Sequence, residues 1–167
     1  MNNEILSRAI DCLSIHDVRL DNSSIIISDD FDPMFPKTET INVQFKSGIK
    51  KSEIGNATFK ESNSEEQFLL ARYQCGFRVL VPPHEGANPP KGEDLAGWKQ
   101  VVEVIADFIA YYSVKSEIEQ EAIDEFSKYN VGYHIWPYWR EYASSVATRL
   151  RLPPITPPLY VLPKKIS

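Results

Sequence analysis

Two cysteines are all that the 167 residues contain, and Cys12 and Cys75 stand far apart with no ligand motif beside either. A disulfide framework and a cysteine zinc site are therefore not expected. Cys75 lies in an alternating apolar run and reads as a small core residue. Acids outnumber bases 23 to 18, for a formal net charge of −5, which disfavours an extended contact with nucleic-acid phosphates. No stretch approaches the ~20 apolar residues that span a bilayer. The opening "MNNEILSRAIDCLSI" has an acid and no apolar run long enough for a signal peptide, so a cytoplasmic protein without membrane insertion is expected. The three histidines, His16, His84 and His134, are isolated and lack metal-ligand spacing. Nucleophile-elbow, phosphate-loop and His-Glu-x-x-His motifs are all missing. "GANPPKGED" has Gly and Lys, but its prolines remove N–H groups that a phosphate cradle needs. Neither a catalytic centre nor a cofactor or metal site is expected.

What remains is an ordinary globular composition, 43% hydrophobic and 25% charged, that suits one domain over 1–167. Ile5, Leu6, Ala9, Ile10 and Leu13 share one stripe of a short helix within 1–14. The period then changes to two. His16, Val18 and Leu20 face one way and Asp17, Arg19 and Asp21 the other, and Ile25-Ile26-Ile27 adds a β-branched run. "SDDFDPMFPKTE" follows, an irregular linker stiffened by Pro33 and Pro36 that carries Phe31, Met34 and Phe35. Strand character returns at 39–47, where Ile41, Val43 and Phe45 alternate with polar residues. "KSGIKKSEIGNATFKESNSEE" reads as turns and polar surface, with at most a short strand near Phe59. Over 66–81, Leu69, Ala71, Tyr73, Cys75, Phe77, Val79 and Val81 form an unbroken apolar face. Residues 98–115 are ambiguous by period. The run Val102, Val104, Ala106, Phe108, Ala110, Tyr112, Val114 and its β-branched and aromatic density favour a strand.

Ser116 with Glu119 predicts a capping box, and Ile118, Ala122, Phe126 and Tyr129 a helical stripe. Val131-Gly132 is expected to interrupt it, with Pro137 in the first turn of a second helix. Prolines after Leu152 are expected to end that helix, leaving 153–167 extended and polyproline-like. The main helical region thus covers 116–152. The expected fold class is α+β: a four-stranded antiparallel sheet with helices packed on one face.

Within the second helix, "IWPYWREYASSVATRLRLPP" resembles a signature of the SecB family of chaperones. In that family an aromatic-Pro-Tyr, any residue, Arg-Glu element precedes an apolar helix that ends near Thr-Arg and a Leu- or Phe-Pro. The matching positions are Trp136, Pro137, Tyr138, Arg140, Glu141, Thr148, Arg149, Leu152 and Pro153. "HDVRLD" (16–21) is similar to the family's first strand, and "RLRLPPITPPL" to SecB-like chaperones attached to toxin–antitoxin pairs.

The resemblance implies a homotetramer built as a dimer of dimers, which holds non-native polypeptides without ATP or cofactor. Clients would be export precursors or an antitoxin. It also implies an apolar client groove beneath a crossover loop between the first two strands, here 28–39. Candidate client-binding residues are Phe31, Met34, Phe35, Val43, Phe45, Trp136, Trp139 and Tyr142. An aromatic stripe at helical spacing ordinarily packs, so at least half of Trp136, Tyr138, Trp139 and Tyr142 are expected in the core or a subunit interface. For Phe31, Met34 and Phe35 the competing reading is a loop folded on its own core. By family position Asp17, Asp21 and Asp107 are candidates for contact with the SecA motor, although solvated strand faces carry such acids routinely. Arg72, Arg78 and Lys99 put positive charge where export-type members are acidic. The further helix and tail of those members are also not expected after Lys164-Lys165. Both features weaken the SecA expectation. A second class stays open: a small-ligand or enzymatic α+β domain with a helix-on-sheet pocket, using Asp107 or His134 as polar groups.

Overall fold

The computed structural model describes residues 2–59, 64–92 and 94–161. Helix α1 (Asn3–Cys12) leads into strands β1 (Leu13–Ile27), β2 (Asn42–Phe59), β3 (Ser64–Val81) and β4 (Lys99–Val114), followed by α2 (Gln120–Tyr129) and α3 (Val131–Arg149). The strands form one antiparallel sheet in the order β1-β4-β3-β2. Alternation decides its two faces. Leu69, Ala71, Tyr73, Cys75, Phe77 and Val79 of β3 pair with Tyr112, Ala110, Phe108, Ala106, Val104 and Val102 of β4, and all twelve are buried. On this inner face α3 lies over β3 and β4, α2 over β2, and α1 packs on α2. The ambiguous segment 98–115 is therefore a strand, as its twofold period predicts.

Several local expectations are corrected. β1 is one continuous strand with bulges between Ile15 and Asp17 and between Leu20 and Asn22. The first bulge turns His16 away from Val18 and Leu20, so its ring meets Phe68 on the outer face, with centroids 5.3 Å apart. β2 does not stop at 47. Polar residues 46–58 stay paired with β3 in full register around one irregularity at Lys50, because an edge strand tolerates polar side chains that a central strand would not.

Ser116 caps nothing: its hydroxyl reaches the Cys12 sulfur, and α2 starts at Gln120 with no side-chain cap. The helix break falls at Asn130, and Val131 and Gly132 open α3, so Pro137 is its seventh residue rather than part of its first turn. The Tyr133 carbonyl loses its helical donor there, at a cost softened by water because Tyr133 is exposed. Nor do the prolines alone stop α3. Arg151 adopts φ 54°. Its N–H reaches Thr148 O at 3.1 Å, while that of Leu152 reaches Ala147 O at 3.0 Å. This is a Schellman ending with arginine in the usual glycine position.

Candidate functional site

β1 and β2 occupy opposite edges of the sheet, so their connection must pass the end where β3 finishes and β4 begins. Polar staples fix this crossover loop. Ser28 N–H donates to Val101 O at 2.9 Å, the Ser28 hydroxyl reaches Asp30 at 2.6 Å, and Lys99 binds Asp30. The Lys99 ammonium, helped by the Ser28 hydroxyl, holds the Asp30 carboxyl down to about 2. Further along, Asp32 accepts from Met34 N–H at 2.9 Å and its carbonyl accepts from Phe35 N–H at 3.1 Å, a tight turn between Pro33 and Pro36.

That turn separates the three apolar residues of the loop. Phe31 is half-buried against the core. Met34 and Phe35 project outward, 56% and 77% exposed. Beneath them a cleft of about 140 Å³ runs between the loop and the sheet end, lined in part by Phe31, Phe35, Val81 and Val101. The loop-on-core reading thus fits Phe31, and Met34 and Phe35 stand free of the core.

Val43 and Phe45 lie on the inner face of β2, half-buried against the core, with Phe45 edge-on to Phe77 at 6.3 Å. The α3 aromatics divide. Trp139 is 0% exposed, against Phe77 and Tyr142. Trp136 is buried as well, its indole N–H donating to Pro158 O at 2.8 Å. Tyr142 is half-buried, edge-on to Phe108. In this chain Trp136 and Trp139 are core supports, and a client could touch them only after a rearrangement. Tyr138 and Tyr133 are the exposed aromatics of the helix.

The outer face carries charge in matched pairs. Asp21 sits in the second β1 bulge and binds Arg72 and Arg19. Asp107 accepts from Gln74 at 2.8 Å and faces Lys50 at 3.9 Å, and Glu103 faces Lys46. Asp17 is exposed and caps the Val18 N–H at 2.9 Å. The three candidate aspartates share this face, but two of them are held by cations. The β3–β4 connection folds over its far end, where Arg78 reaches Gly92 O at 2.7 Å and Gln44 reaches Pro90 O at 2.8 Å.

Asp107 and His134 do not meet. Asp107 is on the outer face, while His134 is on α3, its Nδ1 3.0 Å from the Tyr112 hydroxyl beneath the helices. The sheet lies between them, so they cannot serve one pocket. Burial pushes the Cys75 thiol up, away from the thiolate that a nucleophile needs. Among the described residues no group of three or more His, Cys, Asp or Glu side chains is placed to hold a metal ion. No described helix is long and apolar enough to cross a membrane.

One apolar surface was not singled out by sequence reasoning. Ile15, Leu20, Ile25 and Ile27 point to the inner face of β1, yet remain exposed because the helical layer stops short of that edge. Their β-branched pattern marks a strand; only the placement of α3 shows that none of the described residues covers it.

No family model matches the sequence, and no curated protein matches it. A solved structure does: a SecB-like chaperone of Mycobacterium tuberculosis, in complex with a ChAD peptide from the HigA1 antitoxin. The match has a TM-score of 0.66 at 16% identity and covers 96% of this chain and 99% of that one. With the four-stranded sheet, its crossover and its helical layer, this likeness gives the chain the fold of the SecB-like chaperones.

Proposed function

We propose that this protein is an ATP-independent holding chaperone whose clients are non-native polypeptides, an antitoxin foremost among them. The observation that carries the reading is the crossover loop: pinned at Ser28 and Asp30, yet offering Met34 and Phe35 to solvent above an apolar-lined cleft. Unfolded chains have no fixed shape but do expose apolar side chains. A holder therefore needs accessible, adaptable greasy contacts, each worth roughly 1–3 kcal/mol when well buried. Methionine and phenylalanine suit that task, one by flexibility and the other by area. Phe31, Val43, Phe45 and Tyr142 are half-buried against the same core and on this reading would give a client further apolar contact, with Trp139 packed beside Tyr142.

Assembly into a tetramer, a dimer of dimers, would place several such sites on one particle and raise effective concentration without any reaction. Ion pairing on the outer face favours an antitoxin client over delivery to SecA. Asp21 and Asp107 are engaged by Arg19, Arg72 and Lys50, so a partner seeking free carboxylates must first break those pairs. On this reading the protein works in the cytoplasm, and its gene is expected to lie beside a toxin–antitoxin pair.

The test is aggregation of a chemically unfolded client, followed by light scattering without ATP. The purified multimer is expected to suppress it near stoichiometric ratios. Undiminished aggregation at several-fold excess of the protein would defeat the proposal. A synthetic antitoxin segment that competes with the unfolded client, where a folded protein of similar charge does not, would establish the client class.

A further inference from the structure

From Pro153 to Val161 the tail after α3 is extended, yet it is bound, and residues 162–167 of the expected extended segment lie outside the described residues. From Ser144 back to Tyr133 the helix rises about 17 Å, and the five steps from Ile155 to Tyr160 span about 16 Å in polyproline geometry. The tail uses that match and runs antiparallel along α3. The Ser144 hydroxyl donates to Ile155 O at 3.2 Å, and the Trp136 indole N–H donates to Pro158 O at 2.8 Å. Ile155 and Pro157 are buried and Tyr160 is half-buried, while Leu159 and Val161 are exposed.

At the far end the Tyr160 and Tyr73 hydroxyls are hydrogen-bonded to each other, and the Tyr73 hydroxyl reaches Ser47 at 3.3 Å. Gly132 makes this approach possible. A Cβ at that position would stand 2.5 Å from the Tyr160 hydroxyl and 2.7 Å from that of Tyr73. The helix thus omits a side chain where the aromatic anchor of the tail enters.

Among the described residues, the Trp136 and Ser144 hydrogen bonds from α3 to this tail both go to backbone carbonyls, which any residue supplies. Inward side chains are read only as apolar bulk at Ile155 and Pro157 and as an aromatic at Tyr160. Such a track accepts extended polypeptide with little regard to sequence, and prolines are compatible with it because these bonds use carbonyls rather than N–H groups.

We propose that the face of α3 bordering β3 is a second polypeptide-binding track, occupied in cis by residues 153–161, which act as a displaceable strap. Its ligand in trans is an extended segment with apolar residues two apart and an aromatic three residues further on. The strap extends the holding-chaperone reading, since a client or antitoxin segment of this pattern would exchange with it; the first measurement below does not depend on that reading.

The probe is a labelled peptide of residues 153–161, Pro-Pro-Ile-Thr-Pro-Pro-Leu-Tyr-Val, titrated by fluorescence anisotropy into the full-length protein. The comparison is Ile155→Ser/Tyr160→Ser, in which the strap has lost two anchors. A tethered segment competes at an effective concentration on the order of 1 mM, so a peptide with Kd of about 0.1 mM is expected to bind the variant about tenfold more tightly than the wild type. Equal binding to both, or binding to neither, by proteins with unchanged circular dichroism overturns the proposal. Should the double variant not fold, Tyr160→Phe removes only the hydroxyl that reaches Tyr73. It must shift the affinity in the same direction, and no shift again overturns the proposal. In the aggregation assay the variant is expected to capture client better than the wild type, with the free peptide reversing the gain. Tighter peptide binding by the variant, with no protection of client by either protein, upholds the strap and defeats the chaperone reading. Protection by both proteins that the peptide leaves untouched defeats the track as a client site.

Discussion

Replacing Met34 and Phe35 together by serine separates client contact from folding. Both side chains are more than half exposed, at 56% and 77%, so the folded state loses little burial. The change in stability is expected to stay within about 0.5 kcal/mol, as for other surface substitutions. Client capture is a different matter. If each side chain becomes about half-buried under a bound segment, each contributes about 1 kcal/mol. Losing about 2 kcal/mol weakens binding about thirtyfold, at 1.4 kcal/mol per decade.

The assay pairs a urea titration with the light-scattering measurement, repeated over a range of chaperone concentrations. An unchanged urea midpoint with a large rightward shift of the protection curve is expected. Phe31→Ser serves as the contrast. Because Phe31 packs against the core, its loss is expected to cost about 1–2 kcal/mol of stability, below the full-burial value. Unaltered protection by a stably folded Met34→Ser/Phe35→Ser protein would refute the loop as a client surface. A collapse of its fold would refute the placement of the two side chains.

Three further outcomes follow from the packing. Trp139→Ala is expected to cost about 3–5 kcal/mol. Trp139→Phe is expected to cost clearly less, because the buried indole N–H has no hydrogen-bond partner among the described residues and deleting it removes a penalty of about 1–3 kcal/mol; equal urea midpoints for the two variants would contradict this. Arg151→Gly is expected to stabilise the chain by about 1 kcal/mol, since φ 54° costs an L-residue about that much; a lower melting temperature would count against the Schellman ending. Burial lowers the His134 pKa from 6.5. The unfolded chain therefore binds more protons just below that value, so stability is expected to fall as pH drops through and below about 6.5, then level off once the folded imidazole also protonates. His134→Gln is expected to flatten that part of the profile, and an identical pH slope in the variant would show that another group is responsible.

Local pattern carried β3 and β4 plainly. Period-two burial from Leu69 to Val79 and from Val102 to Tyr112 is a property of side chains on a pleat, and no tertiary knowledge is needed to see it. The proline-braced loop with its three apolar residues and the Pro-Tyr-x-Arg-Glu signature were also legible in the chain. The second half of β2 was not. Its polar residues look like a turn until β3 supplies a ladder, because an edge strand gains its order from backbone pairing rather than from burial. His16 was misplaced for a related reason: a bulge shifts the alternation by one, and alternation alone contains no mark of it.

Sequence by itself determined the α+β class, strands β3 and β4, and the irregular, proline-stiffened character of the linker after β1, because each depends on the period, rigidity or missing N–H groups of neighbouring residues. Only the tertiary structure decided which apolar groups stay in water. Phe31 and Phe35, four positions apart, differ because one meets the sheet end and the other turns past it. Trp139 and Tyr138 differ because α3 lays one side on Phe77. Asp21 and Asp107 lost their free charge to Arg19, Arg72 and Lys50, cations that strand pairing, not chain proximity alone, brought within reach. Exposure is a sum over contacts distant in sequence, and no local pattern contains that sum.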